Sequence, residues 1–155
     1  MVESAADTFT AVKFAFPFSI MDKMALVISR IEYLDRTLGV LNSSGDYKMI
    51  GLAASASIVD PLAQNDPLII DNMLIDRNDF GTAAAANLFF QPYVKDFANV
   101  AGGGLLVAPA PLYGYVKGAG ESGASTVWIK LFYTYMELDA DSYWQLVESR
   151  RIISN

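Results

Sequence analysis

Any chemistry this chain performs has to come from its carboxylates. The sequence contains no histidine and no cysteine, which removes the commonest general base and metal ligand together with thiolate catalysis, thiolate metal sites and disulfides. Asp71, Asp76 and Asp79 flank or end one candidate strand. Paired carboxylates can act as acid and base, and several together can hold a hard cation such as calcium through oxygen. Their spacing lacks the D-x-D-x-D-G pattern of a calcium loop, so the expectation is that they cap turns and solvate a strand end. Ser55, Ser57 and Ser125 have no base partner, and their small neighbours are explained by packing. Gly102-Gly103-Gly104 is followed neither by Gly-Lys-Ser or Gly-Lys-Thr nor by a helix, so it reads as a flexible corner rather than a phosphate loop. No residue is assigned a catalytic, cofactor-binding or metal-binding role, and the chain is expected to be no enzyme and to need no cofactor.

Aromatic rings offer a second kind of site. Tyr93, Tyr113 and Tyr115, with Trp128 and Tyr133, could line a sugar-binding face, because amphipathic rings suit that work. The competing expectation is ordinary core and interface packing.

The elements that must position these residues are mostly strands. Thr8 to Phe18 alternates, with Val12, Phe14, Phe16 and Phe18 on one side, and Pro17 ends it. Strands are also expected over Lys23 to Leu34, Met49 to Val59, Leu68 to Ile75, Leu88 to Phe97 broken at Pro92, Leu105 to Ala108, and Leu112 to Lys117. Between them, Asn-Ser-Ser-Gly-Asp within Leu38 to Tyr47, Gln64 to Pro67, Arg77 to Asn87, and the loop from Gly118 to Gly123 carry turn or loop composition. About eight strands spaced by Gly, Pro, Asn and Asp clusters suggest an all-β sandwich or barrel, not strand-helix alternation.

The densest stretch closes the chain. From Thr126 to Leu138 nearly every residue is aromatic, aliphatic or β-branched. Val127, Ile129, Leu131, Tyr133 and Tyr135 point one way on such a strand, and Trp128, Phe132, Thr134, Met136 and Leu138 the other. A strand apolar on both faces belongs inside a covered sheet or on a surface that another subunit covers. A helix over about 140–151 follows, with Asp139 as N-cap and Arg150 and Arg151 in its last turn. Tyr143, Leu146, Val147 and Arg150 share a face with Trp144 beside it. The helix either packs across one end of a sheet or meets a partner subunit, in which case Tyr143, Trp144, Arg150 and Arg151 are the contact residues.

Bulk properties narrow the function classes. A chain of 155 residues is a single domain, 1–155, able to remove roughly 70% of its extended-chain surface from water. It is 53% hydrophobic and 18% charged, against a usual charged share of about 25%, so association is the simplest way to cover the surplus apolar surface. Eleven bases against seventeen acids give a net charge of -6, and the bases are scattered except for Arg150 and Arg151, which argues against direct nucleic-acid binding. No stretch approaches the roughly 20 apolar residues of a membrane helix, and MVESAADTFT carries acids where a signal peptide carries bases, so a soluble, unprocessed chain is expected.

The run GGGLLVAPAPLYGYVKG leading through a loop into TVWIKLFYTYMELDADSYWQLVESRR, after a short acidic-to-neutral N-terminus and a series of strands with Gly/Pro-rich corners, resembles single jelly-roll virus capsid proteins. The resemblance implies an eight-stranded antiparallel β-sandwich of two four-stranded sheets with a short C-terminal helix. It also implies a self-assembling shell subunit found in the virion, whose partners are identical copies and other capsid proteins. It carries over no catalytic residue. Met1 to Thr10 holds Glu3 and Asp7 but no base, unlike the arginine-rich arms of capsid proteins that bind genomes. The alternative expectation is a carbohydrate- or ligand-binding β-module, secreted or at a cell surface.

Overall fold

The structure is a computed structural model. It describes residues 1–17, 22–36, 46–58, 66, 68–76, 92–100, 102–108, 111–121 and 123–153, without the side chains of Asp76 and of residues 149–153. Eight strands and one helix follow in order: β1 Thr10–Lys13, β2 Met24–Asp35, β3 Tyr47–Ala53, β4 Ile69–Asp76, β5 Tyr93–Asp96, β6 Leu105–Val107, β7 Tyr113–Ala119, β8 Val127–Glu137 and α1 Ala140–Ile153.

The strands form two antiparallel sheets. One has the order β1-β7-β3-β4; in the other, β2 pairs with β8 along one edge and with β5 and β6 along the opposite edge. One apolar cluster is shared between the sheets: Leu26, Ile28, Ile31 and Tyr33 of β2 and Val127 of β8 meet Ile50 and Leu52 of β3 and Val116 of β7. The molecule is thus mostly β, two sheets enclosing a common core with one short helix at the end.

Strand β2 shows how sequence sets this arrangement. Strict alternation would send Leu26, Ile28 and Arg30 the same way, burying a guanidinium. The register instead shifts between Ile28 and Arg30, so Ser29 is the extra residue of a bulge and the inward set continues as Ile31, Tyr33 and Asp35. Ile28, Ile31 and Tyr33 are fully buried, while Arg30 turns outward.

Two strand ends expected from the sequence are corrected here. β1 stops at Lys13, so Phe14 and Phe16 belong to no strand, and Val12 is half-exposed; the chain leaves the sheet there, and Phe16 packs edge-on against Tyr133 of β8 instead. β3 ends at Ala53 rather than Val59, because Ala54 to Ile58 folds back and places Ile58 against Met49, Ala53 and Tyr115 on the outer side of its sheet. β5 runs from Tyr93 to Asp96, after the break expected at Pro92, and the earlier part of its expected range, 88–91, lies outside the described residues. Of the two settings expected for β8, inside a covered sheet or on a surface that another subunit covers, the first is not observed: among the described residues β8 is an edge strand with one face on the core and the other exposed. The turn within Leu38 to Tyr47, the loop at 64–67 and the connection from Arg77 to Asn87 fall almost wholly outside the described residues.

Candidate functional site

The outer face of the β2–β8 sheet is the most unusual surface of the chain. Trp128, Phe132 and Met136 project from every fourth position of β8, with Lys130 and Thr134 between them on the same face, and are 50%, 42% and 43% exposed. Leu106 of β6 and Val94 of β5 are exposed on the same side of their sheet, because they pair with Val27 and Glu32 rather than with core residues of β2. The charges of this face lie on the rings and on one another. The Arg36 guanidinium sits 5.0 Å from the Trp128 ring centre and that of Arg30 sits 5.3 Å from Phe132, within cation–π range. Glu32 contacts Arg30 closely and lies 3.6 Å from Lys130. Such a face is of the kind suited to contact with another macromolecule.

Helix α1 continues from this strand. Asp139 caps it as expected: Oδ1 accepts from the Ser142 backbone N–H at 2.8 Å and Oδ2 from the Ser142 hydroxyl at 2.7 Å. These donors hold the Asp139 carboxyl below its ordinary pKa. Among the described residues no strand makes an extended contact with the helix. Of the four expected contact residues, Tyr143 is buried, its ring edge-on to Trp144, and its hydroxyl pKa is pushed up by that burial. Trp144 is half-exposed. Arg150 and Arg151 lie on the last turns of the helix, with side chains outside the described set. The structure thus keeps Trp144 available for contact, while Tyr143 is engaged within the chain's own packing.

The aspartate trio does not gather. Asp71, on β4, accepts from the Tyr33 hydroxyl and from the Lys95 ammonium, both at 2.6 Å, and so ties one sheet to the other. Burial and the adjacent Asp71 charge push the Tyr33 hydroxyl pKa far up, so it stays a donor. An ammonium at that distance occupies the place a metal ion would take. Asp76 ends β4, Asp79 lies outside the described residues, and among the described residues no three potential ligands are grouped for a metal. Beside Asp71 a groove of about 730 Å³ runs along β4 to Tyr93 and Lys95 of β5.

The five aromatic candidates for a sugar face are dispersed as well. Tyr115 is buried on the outer side of the β1-β7-β3-β4 sheet, Tyr133 leans toward the core, Trp128 is on the outer face of the other sheet, and of the five Tyr93 alone lines the groove.

Sequence reading missed a buried charge cluster. Lys48 alternates with Ile50 and Leu52 on the core side of β3 and is 1% exposed. Its ammonium lies 2.6 Å from Asp35 Oδ2 and 2.7 Å from Glu121 Oε1, the second contact without hydrogen-bond geometry. Glu121 Oε2 accepts from the Ser125 hydroxyl. The backbone N–H groups of Gly118 and Ser125 donate to the two oxygens of Glu3, at 2.9 and 2.8 Å. Burial, with Glu3 nearby, raises the Glu121 pKa despite the ammonium. Gly118 leaves room for the Glu121 carboxylate, which a Cβ there would overlap. The signal in the sequence was parity: Asp35 keeps step with Tyr33, and Lys48 with Ile50. The cluster binds Glu3, β2, β3 and the loop after β7 to one another, and its polar atoms face each other rather than an opening.

No family model matches this chain. No curated protein and no solved structure matches it significantly either. The functional reading therefore rests on the surface and the cluster just described.

Proposed function

We propose that this chain is a structural, self-associating subunit of a virion shell, working by repeated burial of apolar surface between identical copies. The observation that carries the reading is the row Trp128, Phe132 and Met136, exposed along one strand of a chain with few charges. Trp144 on helix α1 adds a second exposed anchor of the type favoured in interfaces. Other shell proteins are possible neighbours in the same assembly, and nucleic acid is not an expected partner, because the described bases are scattered or engaged: Arg30 and Arg36 on aromatic rings, Lys48 and Lys95 on carboxylates.

The jelly-roll part of the reading is supported by the eight strands and the two-sheet layout alone. A jelly roll pairs its first strand with its eighth and its second with its seventh; here β1 pairs with β7, β2 with β8, and β3 with β4 inside one sheet.

The test is the mass distribution of the purified protein over a range of concentrations by light scattering, with electron micrographs of the heaviest fraction. Closed shells or regular arrays are expected. A concentration-independent monomer would refute the proposal and direct attention to the β4–β5 groove and to glycan screening.

A further inference from the structure

We propose that β8 is an assembly edge, through which two copies of this chain join antiparallel about a two-fold axis at Phe132, making one continuous sheet of their β2–β8 sheets. The inference rests on the self-association reading and names the surface and partner it would use first.

Three observations carry it. The first is the direction of the backbone groups. Met1 and Val127 exchange both backbone hydrogen bonds, at 2.7 and 2.9 Å, and Glu3 N–H donates to Ser125 O, so residues 1–3 cover the start of the outer edge of β8. Val127 therefore points its N–H and C=O away from β2, whereas Leu138 N–H donates back toward β2, to Lys23 O. Antiparallel alternation then turns the N–H and C=O of Ile129, Leu131 and Tyr133 to the outer edge. Among the described residues no backbone group pairs with these three there.

Second, the edge lacks the devices that normally guard one. Between Val127 and Met136 there is no proline, Lys130 is the sole charge, and the bulge lies on β2 rather than β8.

Third, the strand is complementary to itself in one register. Centred on Phe132, antiparallel pairing sets Leu131 against Tyr133 and Ile129 against Tyr135 on the core side, and Trp128 against Met136 and Lys130 against Thr134 outside. A centre at Lys130 would oppose two ammoniums, which is unfavourable. A centre at Leu131 would set Lys130 against Phe132 and Trp128 against Thr134, which splits the apolar pairs. A centre at Tyr133 would set Phe132 against Thr134 and Ile129 against Glu137. The Phe132 register keeps apolar residues opposite one another and isolates the cation. The axis stands perpendicular to the sheet, so both copies present Trp128 and Met136 on one side as a doubled apolar surface.

The absence of cysteine makes the test direct. At a two-fold, non-hydrogen-bonded position the Cα atoms lie about 4.5 Å apart, within disulfide range. Phe132→Cys should therefore give a disulfide-linked dimer under mild oxidation. Lys130→Cys and Thr134→Cys should each stay uncrosslinked alone, because like positions lie four residues, about 13 Å, apart, yet crosslink to each other when mixed. Light scattering of the unmodified protein accompanies the experiment. If the protein associates but neither Phe132→Cys nor the mixed pair crosslinks, the edge inference is overturned while the shell reading stands. Crosslinking with nothing larger than a dimer supports the edge and overturns the shell. A monomer at every concentration with no crosslinking overturns both.

Discussion

Replacing Lys48 by methionine isolates the buried charge, because methionine keeps most of the apolar stem and removes only the ammonium. Lys48 is 1% exposed, with Asp35 and Glu121 carboxylate oxygens 2.6 and 2.7 Å from its nitrogen. Its loss leaves two carboxylates at the end of the core with no cation between them. Removing one partner of a buried pair costs about 3–5 kcal/mol, because the remaining charge stays desolvated. For a chain of 155 residues, where each kcal/mol moves Tm by about 2–4 °C, the expected fall is about 6–20 °C. Urea unfolding at pH 7, checked by calorimetry, reads both quantities. The deficit should shrink toward pH 4 as Glu121, already raised by burial, takes up a proton, and the neutral triple variant Asp35→Asn/Lys48→Met/Glu121→Gln should recover much of it. A loss below about 1 kcal/mol, the size of an exposed pair, together with no dependence on pH, would refute the assignment of a tightly coupled buried cluster.

Glu121 on its own has the opposite pH signature to an ordinary salt-bridged acid. Its folded pKa is raised, chiefly by burial, so above the ordinary glutamate value of about 4.3 the folded chain holds a proton that the unfolded chain has lost. Stability contributed by this group therefore falls as pH rises through that window, and Glu121→Gln should flatten the decline in urea-unfolding free energy; an unchanged slope would contradict the assignment. A contrast is expected across Gly51 and Tyr115. The Tyr115 ring lies over Gly51, where a Cβ would stand 2.5 Å from Cζ and 2.6 Å from the Asp71 carbonyl oxygen. Gly51→Ala should cost about 1–3 kcal/mol as overpacking. The Tyr115 hydroxyl is buried beside Asn72 without a hydrogen bond of regular geometry, so Tyr115→Phe should be near neutral by chemical denaturation. A large loss there would show that the hydroxyl has a partner of full strength.

Strands were legible wherever period-two patterning met a turn residue. β4, β6, β7 and β8 fall within a residue or two of their expected ranges, and the alternation of Val127 through Tyr133 against Trp128 through Phe132 is the observed division between core and outer faces, while Tyr135 is exposed. Asp139 was readable as a cap because capping is local chemistry. What the sequence concealed was tertiary. The phenylalanines after Lys13 keep the alternation of a strand but leave the sheet, since Phe14 and Phe16 fill the side of the core near β8. Lys48 looked like one more scattered base, because a lysine in a strand is normally turned to water; only the arrival of Asp35, Glu121, Glu3 and Ser125 from distant segments makes its inward position tolerable. How much of the outer edge of β8 is covered likewise depends on residues 1–3, which pair with Ser125 to Val127 from the far end of the chain.

The pairing of β2 with β8 also bears on how this protein is born. Met24 meets Glu137 and Asp35 meets Val127, so the longest ladder joins segments separated by roughly a hundred residues of chain. At a synthesis rate of about 5–20 residues per second, β2 emerges from the ribosome some 5–20 seconds before its partner exists. During that interval Leu26, Ile28, Ile31 and Tyr33, all fully buried at the end, have no β8 to pair with. Nascent chains stalled before Val127 should thus be the species that chaperones hold, and release of the last strand is the event that closes the core.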